Sequence, residues 1–100
     1  MKKNVTTRQD FDEAIKSGKV LVDFWAPWCG PCMMMSQKID EELLKYSSDI
    51  TVVKVNVDEA PELAAAFGIM SIPALFCYRD GVRKGEFMGV TDIGKIISAF

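Results

Sequence analysis

Cys29 and Cys32 are separated by two residues, Gly30 and Pro31, and that spacing is the clearest chemical signal in the chain. Two thiols so placed, on a turn between a strand and a helix, read as a redox-active dithiol. A thiolate rather than a thiol attacks a disulfide, so one sulfur needs a lowered pKa. Cys29 stands just before a helix beginning at Gly30-Pro31. There the partial positive charge and free N–H groups of the helix terminus favour an anion. Pro31 suits the first helical positions because its missing N–H is not needed there, and Gly30 lets the backbone turn without a Cβ. Cys32 falls in the first turn, close to Cys29 and more buried. Cys29 is therefore the exposed, attacking sulfur, and Cys32 the shielded, resolving one.

A resolving cysteine must lose a proton, which calls for a base. Asp23 interrupts the apolar run Val20-Leu21-Val22-Asp23-Phe24-Trp25, six residues before Cys29. It reads either as a strand-end aspartate reaching water or as a buried carboxylate of raised pKa beside the dithiol; its place inside such a strand favours the second. Lys54 is the corresponding charge within Ile50-Thr51-Val52-Val53-Lys54-Val55-Asn56-Val57. It either snorkels outward or lies near Asp23, and the pattern leaves both open.

Composition removes other chemistries. The chain has three cysteines and no histidine, too few ligands for a structural zinc site and none for a Ser-His or Cys-His hydrolase. A bare pair of cysteines could be half a zinc site, but the other half is missing. The odd cysteine count does not suit a disulfide framework. Net charge is −2 with scattered Lys and Arg, so nucleic acid is not an expected partner. No apolar run approaches a membrane span, and no apolar segment follows the N-terminal lysines as in a signal peptide. Taken as complete, the chain would stay where it is made, most simply in a reducing cytoplasm. At 100 residues it suits a single domain over positions 1–100.

The elements that must hold this site read in the order β-α-β-α-β-α-β-β-α. Val5-Thr6-Thr7 reads as a short edge strand. Thr7 with Asp10 caps a helix whose Phe11, Ala14 and Ile15 fall on one face and which closes at Ser17-Gly18. Residues 20 to 25 form a central strand covered on both faces. After Cys32, a helix reaching about Tyr46 carries an apolar stripe of Met35, Ile39 and Leu43 with Met34 and Leu44. Met34 and Met35 read as core, while Met33 adds apolar surface beside the dithiol. A strand over residues 50 to 57 follows, then a helix opening with Asp58-Glu59-Ala60-Pro61 and ending at Gly68. Pro73 starts the strand Leu75–Arg79. Asp80-Gly81 turns it into Val82–Met88, Gly89 breaks that strand, and Thr91 caps a last helix burying Ile93, Ile96, Ile97 and Phe100. This is an α/β chain with parallel strands and one antiparallel pair.

The segment Asp23-Phe24-Trp25-Ala26-Pro27-Trp28-Cys29-Gly30-Pro31-Cys32 resembles the active site of the thioredoxin family. The likeness continues through Val53-Lys54-Val55-Asn56-Val57-Asp58, Gly68-Ile69, Ser71-Ile72-Pro73 and Asp80-Gly81, from about Phe11 to the end. It implies the thioredoxin fold, a central mixed β-sheet of four to five strands flanked by helices on both faces. It implies a protein-disulfide reductase working through a mixed disulfide on Cys29, active in electron transport and cell redox homeostasis. Pro73 is then cis and packs against the dithiol, the Ile72 backbone binds an extended substrate, and Lys54 lies near Asp23 in a tuning role. Trp25, Trp28, Gly30, Pro31, Gly68, Ile72, Pro73 and Gly89 would form the surface that partners contact.

Further implications are a monomer with no bound cofactor, re-reduced by a flavin-dependent, NADPH-linked thioredoxin reductase. Oxidases and isomerases of this fold usually carry His between the cysteines and an export signal, and glutaredoxins favour Tyr in the motif. A non-catalytic binding module of a larger assembly would use the same surface. Three positions depart from the usual pattern. Gln37 replaces a helix-kinking proline, Met33 replaces a frequent lysine, and Cys77 is an extra cysteine that reads as a small buried hydrophobe.

Overall fold

The computed structural model describes residues 1–100. Five strands form one sheet in the order β1-β3-β2-β4-β5, with β1 Lys2–Asn4, β2 Lys19–Trp25, β3 Ile50–Asn56, β4 Ala74–Arg79 and β5 Val82–Met88. β1 and β2 run parallel to β3, while β4 runs antiparallel to both β2 and β5. The largely apolar β2 is the middle strand, with all but its two end residues buried, as a strand covered on both faces requires. Helices α1 Arg8–Ile15, α2 Gly30–Lys38, α3 Pro61–Ala66 and α4 Ile93–Ser98 complete the chain.

Alternation along the strands sends side chains to opposite faces. Val20, Val22 and Phe24 pack with Phe11 of α1 and Leu63 of α3. Leu21 packs with Met35 of α2, Val52, Leu75, Cys77, and Ile93 and Ile96 of α4. Helices thus cover both faces of a mixed five-stranded sheet, in agreement with the sequence expectation.

Local signals were mostly legible. The Thr7 side chain accepts from Asp10 N–H at 3.1 Å. Gly68, at φ 63°, ends α3: its N–H donates to Ala65 O and Ile69 N–H to Ala64 O, both at 3.0 Å, a Schellman pair. Asp80 and Gly81 have φ of 51° and 84°, the two positive values that the tight hairpin turn requires.

Several expectations need correction. The first strand is Lys2–Asn4 rather than Val5–Thr7; Val5 instead buries its side chain while its N–H donates to Lys54 O at 3.0 Å. α3 starts at Pro61, because Asn56 holds the preceding turn, accepting from Asp58 N–H at 3.0 Å and donating to Glu59 at 3.1 Å. Asp92, not Thr91, occupies the cap position of α4; Thr91 donates its hydroxyl to Gly89 O at 3.0 Å. Ile97 is exposed and Phe100 lies beyond α4 and is only half-buried, so both leave the buried face of that helix, and Met34 is 59% exposed rather than core. The helix after the dithiol is not regular to Tyr46. It passes at Ile39–Leu43 into a π turn, in which Leu44 N–H donates to Ile39 O at 2.9 Å. The irregularity begins two residues after Gln37.

Candidate active site

The end of β2 turns through Ala26-Pro27-Trp28 into α2, and Cys29 is the residue that caps the helix. Its side chain takes the place of a capping oxygen: Sγ accepts from Cys32 N–H at 3.1 Å. A sulfur receiving a helix N-terminal N–H is stabilised as an anion by that hydrogen bond and by the helix dipole. Cys29 and Cys32 are joined as a disulfide, with Cα atoms 5.2 Å apart. Cys29 is less exposed than expected, at 6%, against 0% for Cys32. Ala26, packed with both cysteines beside Trp25, Val57 and Ile72, accounts for that enclosure.

Opposite the pair, the Ile72–Pro73 peptide bond is cis. The Ile72 carbonyl oxygen lies 3.9 Å from Cys29 Sγ, a contact in the oxidised pair, which has no thiol proton. Gly89 N–H donates to Pro73 O at 2.8 Å, so the loop after β5 closes against the same segment. Trp28 is 70% exposed, and its indole N–H donates to Asp58 at 2.9 Å. Trp28, Val57, Ala64, Ile69, Met70 and Ile72 line a shallow, mainly apolar cleft of about 160 Å³. Two larger hollows, beside Thr6–Arg8 and Lys3–Val5, lie away from the sulfurs.

Asp23 is fully buried on the face of β2 that α2 covers, two positions on from Leu21. β3 sets Lys54 directly beside it in register. Lys54 Nζ stands 3.3 Å from Asp23 Oδ2, an ion-pair distance. The approach is poorly aligned for hydrogen bonding, so neither carboxylate oxygen receives a well-formed hydrogen bond. Burial pushes the Asp23 carboxyl above the ordinary range, and the adjacent ammonium opposes that rise without cancelling it. Lys54 donates to Ser36 Oγ on α2 at 2.9 Å and lies 4.8 Å from the Trp25 ring centroid.

The sequence-expected residues therefore separate into a disulfide cluster, an adjoining cleft and a buried layer, with Gly68 outside all three. Cys29, Cys32, Trp25, Ile72 and Pro73 meet around the disulfide, with Gly30 and Pro31 in the first turn of α2. Trp28 and Ile72 flank the cleft, and Gly89 adjoins through Pro73. Asp23 and Lys54 form a buried layer beneath α2. Gly68 ends α3 just before Ile69 and Met70 and is not itself a lining residue. Sequence reading missed Ser36, Asp58 and the 96% exposed Met70. Ser36 alone had a signal: it lies one helical turn after Cys32, on the same helix face.

Known proteins give the same picture. The thioredoxin family model matches residues 2–100. Thioredoxin 1 of Synechococcus elongatus is 53% identical over 70 residues, which span 70% of this chain and 65% of that protein's length. The thioredoxin of Alicyclobacillus acidocaldarius is 50% identical over 84 residues, covering 83% of this chain and 80% of its own. Among solved structures, oxidised mitochondrial thioredoxin 3 from Saccharomyces cerevisiae superposes with a TM-score of 0.87 at 30% identity, covering 97% of this chain and 92% of that one.

Proposed function

The chain belongs to the thioredoxin family, and we propose that it is a thiol–disulfide oxidoreductase that reduces disulfides of target proteins through Cys29 and Cys32. The bonded pair at the N-terminus of α2, with Cys32 N–H donating to Cys29 Sγ, carries this reading. The reduced Cys29 thiolate attacks a target disulfide. One target sulfur leaves, and the other remains bonded to Cys29. Cys32 then attacks Cys29 Sγ, the target's second sulfur leaves as thiolate, and the Cys29–Cys32 bond closes. Two electrons have passed from the dithiol to the target.

Asp23 takes the proton that Cys32 must lose. Its burial supports the role, since a carboxyl held above the usual range takes a proton more readily than an ordinary carboxylate. Lys54 limits the cost of that buried charge. Trp28, Ile72, Pro73, Gly89 and the neighbouring turn of Gly30 and Pro31 supply the partner surface, with Trp25 and Gly68 behind and beside it. An extended target segment would pair with the Ile72 backbone. The chain works as a single monomeric domain over 1–100, in the cytoplasm. It needs no bound cofactor, and its electrons come from NADPH through a separate flavoprotein, thioredoxin reductase.

Insulin reduction in the presence of dithiothreitol tests the reading. Cys29→Ser should abolish the catalysed rate, whereas equal activity would leave only a binding module. Cys32→Ser should accumulate mixed disulfides on Cys29, visible on non-reducing gels. Capture by the Cys29→Ser variant instead would reverse the two roles.

A further inference from the structure

Lys54 has three neighbours for its charge: Asp23 Oδ2 at 3.3 Å, Ser36 Oγ at 2.9 Å and the Trp25 ring at 4.8 Å. Only the Ser36 contact is a well-formed hydrogen bond; both Asp23 oxygens lack one. An ammonium donates along its N–H directions, so alignment with Ser36 constrains what remains for the carboxylate. A charge-assisted hydrogen bond is stronger than a neutral one. Its absence at a buried carboxylate therefore needs a cause, and the serine hydroxyl is the competing acceptor.

We infer that Ser36 is a positioning residue for the resolving half-reaction: its hydroxyl holds the Lys54 ammonium out of hydrogen-bonding alignment with the Asp23 carboxylate 3.3 Å away, leaving that carboxylate better able to take the Cys32 proton. Ser36 sits one turn after Cys32, on the helix that carries the dithiol. The helix thus positions both the sulfur to be deprotonated and the group that sets the base's partner. No other charge competes in this layer. β4 places Leu75 next to Asp23, and α4 contributes Ile93 and Ile96 to the cluster on that face. Lys54 from β3, the Cys32 thiol once reduced, and the Cys77 thiol of β4, which burial keeps neutral, are the remaining titratable groups on that face. The inference rests on the dithiol reading above and extends it to a residue outside the Cys-Gly-Pro-Cys segment.

The test is Ser36→Ala, a substitution that favours the helix. The Asp23 carboxyl is followed by carbon-13 NMR against pH in the oxidised protein, where neither Cys29 nor Cys32 titrates. With the hydroxyl gone, the ammonium turns to Asp23 and stabilises its anion. The Asp23 midpoint is expected to fall by about one pH unit, a tenfold change in proton affinity. Ser36→Thr, which keeps the hydroxyl, should return it toward the original value. An unchanged midpoint in Ser36→Ala overturns the inference. So does a rise, which would make Ser36 the anchor that brings Lys54 to the carboxylate. Failure of the underlying reading has a separate signature: Asp23→Asn would leave the pH–rate profile of the resolving step unchanged, whatever Ser36→Ala does to the titration.

Discussion

On the face covered by α1 and α3, Phe11, Phe24, Phe67, Phe76 and Tyr78 pack ring to ring, with centroid distances from 4.7 to 6.5 Å. No buried carboxylate or amine lies on that side, and the charges that meet the rings are surface guanidiniums, Arg8 over Phe67 at 4.8 Å and Arg83 over Phe76 at 4.4 Å. On the face covered by α2 and α4 the buried side chains are Leu, Ile, Val, Met and Cys, and the same face holds the Asp23–Lys54 pair. One strand serves both: Val22 and Phe24 point to the aromatic side, Leu21 and Asp23 to the other. A buried, imperfectly paired carboxylate weakens a fold, because desolvation outweighs the attraction unless hydrogen bonds are complete. It is placed under the helix that carries the sulfurs, while the opposite face supplies large apolar burial. Stability and chemistry are thus assigned to different sides of one sheet.

The largest effect on this contrast should come from Phe11→Ala. Phe11 is fully buried and touches three rings, so its loss should cost about 3–5 kcal/mol in urea unfolding. The Asp23 titration should not move, since the two faces share no side-chain contact at these positions. A shifted titration would show that the faces are coupled.

Asp23→Asn should act in the opposite direction, stabilising the protein by about 1–3 kcal/mol near neutral pH. The native protein keeps the Asp23 proton to higher pH than the unfolded chain, because burial raises the folded-state pKa. Above the ordinary carboxylate range the native state therefore binds more protons, and wild-type stability falls as pH rises. The asparagine variant lacks that slope, so its advantage should be larger in unfolding curves at pH 8 than at pH 5. An equal advantage at both would mean that Asp23 is not held protonated by the fold.

The smallest effect concerns Cys77, on the same face as Asp23 but in mid-strand. Burial pushes its thiol up to about 11, and its neighbour is the Ile96 carbonyl of α4 at 4.0 Å rather than a helix N-terminus. In the reduced native protein, iodoacetamide should label Cys29 and leave Cys77 unmodified, as read by peptide mass spectrometry. Cys77→Ala should cost about 1 kcal/mol and leave disulfide reduction intact. Native labelling of Cys77 would erase the distinction between the capping sulfur and the buried one.

The order of elements was legible because each carried a local signal: the apolar run of β2, Gly68 at the end of α3, and Asp80-Gly81 between β4 and β5. Boundaries failed where a side chain chose a partner from elsewhere. Thr91 lost its capping role because its hydroxyl turns back to Gly89 and its N–H donates to Met35 Sδ at 3.3 Å, across the molecule. Met34 and Met35 are adjacent and chemically identical, so only the direction of the helix against the sheet decides which is buried.

By itself, the sequence determined the dithiol, its turn, the flanking strand and helix, and the oddness of Asp23, because local spacing and composition encode these. Lys54 stood open between solvent and carboxylate until the parallel register of β2 and β3 put it beside Asp23. Ser36 had no role until α2 packed over that register and brought its hydroxyl to the ammonium. Long-range pairing decided these, for a buried ion's partners come from separate elements whose meeting no local pattern records.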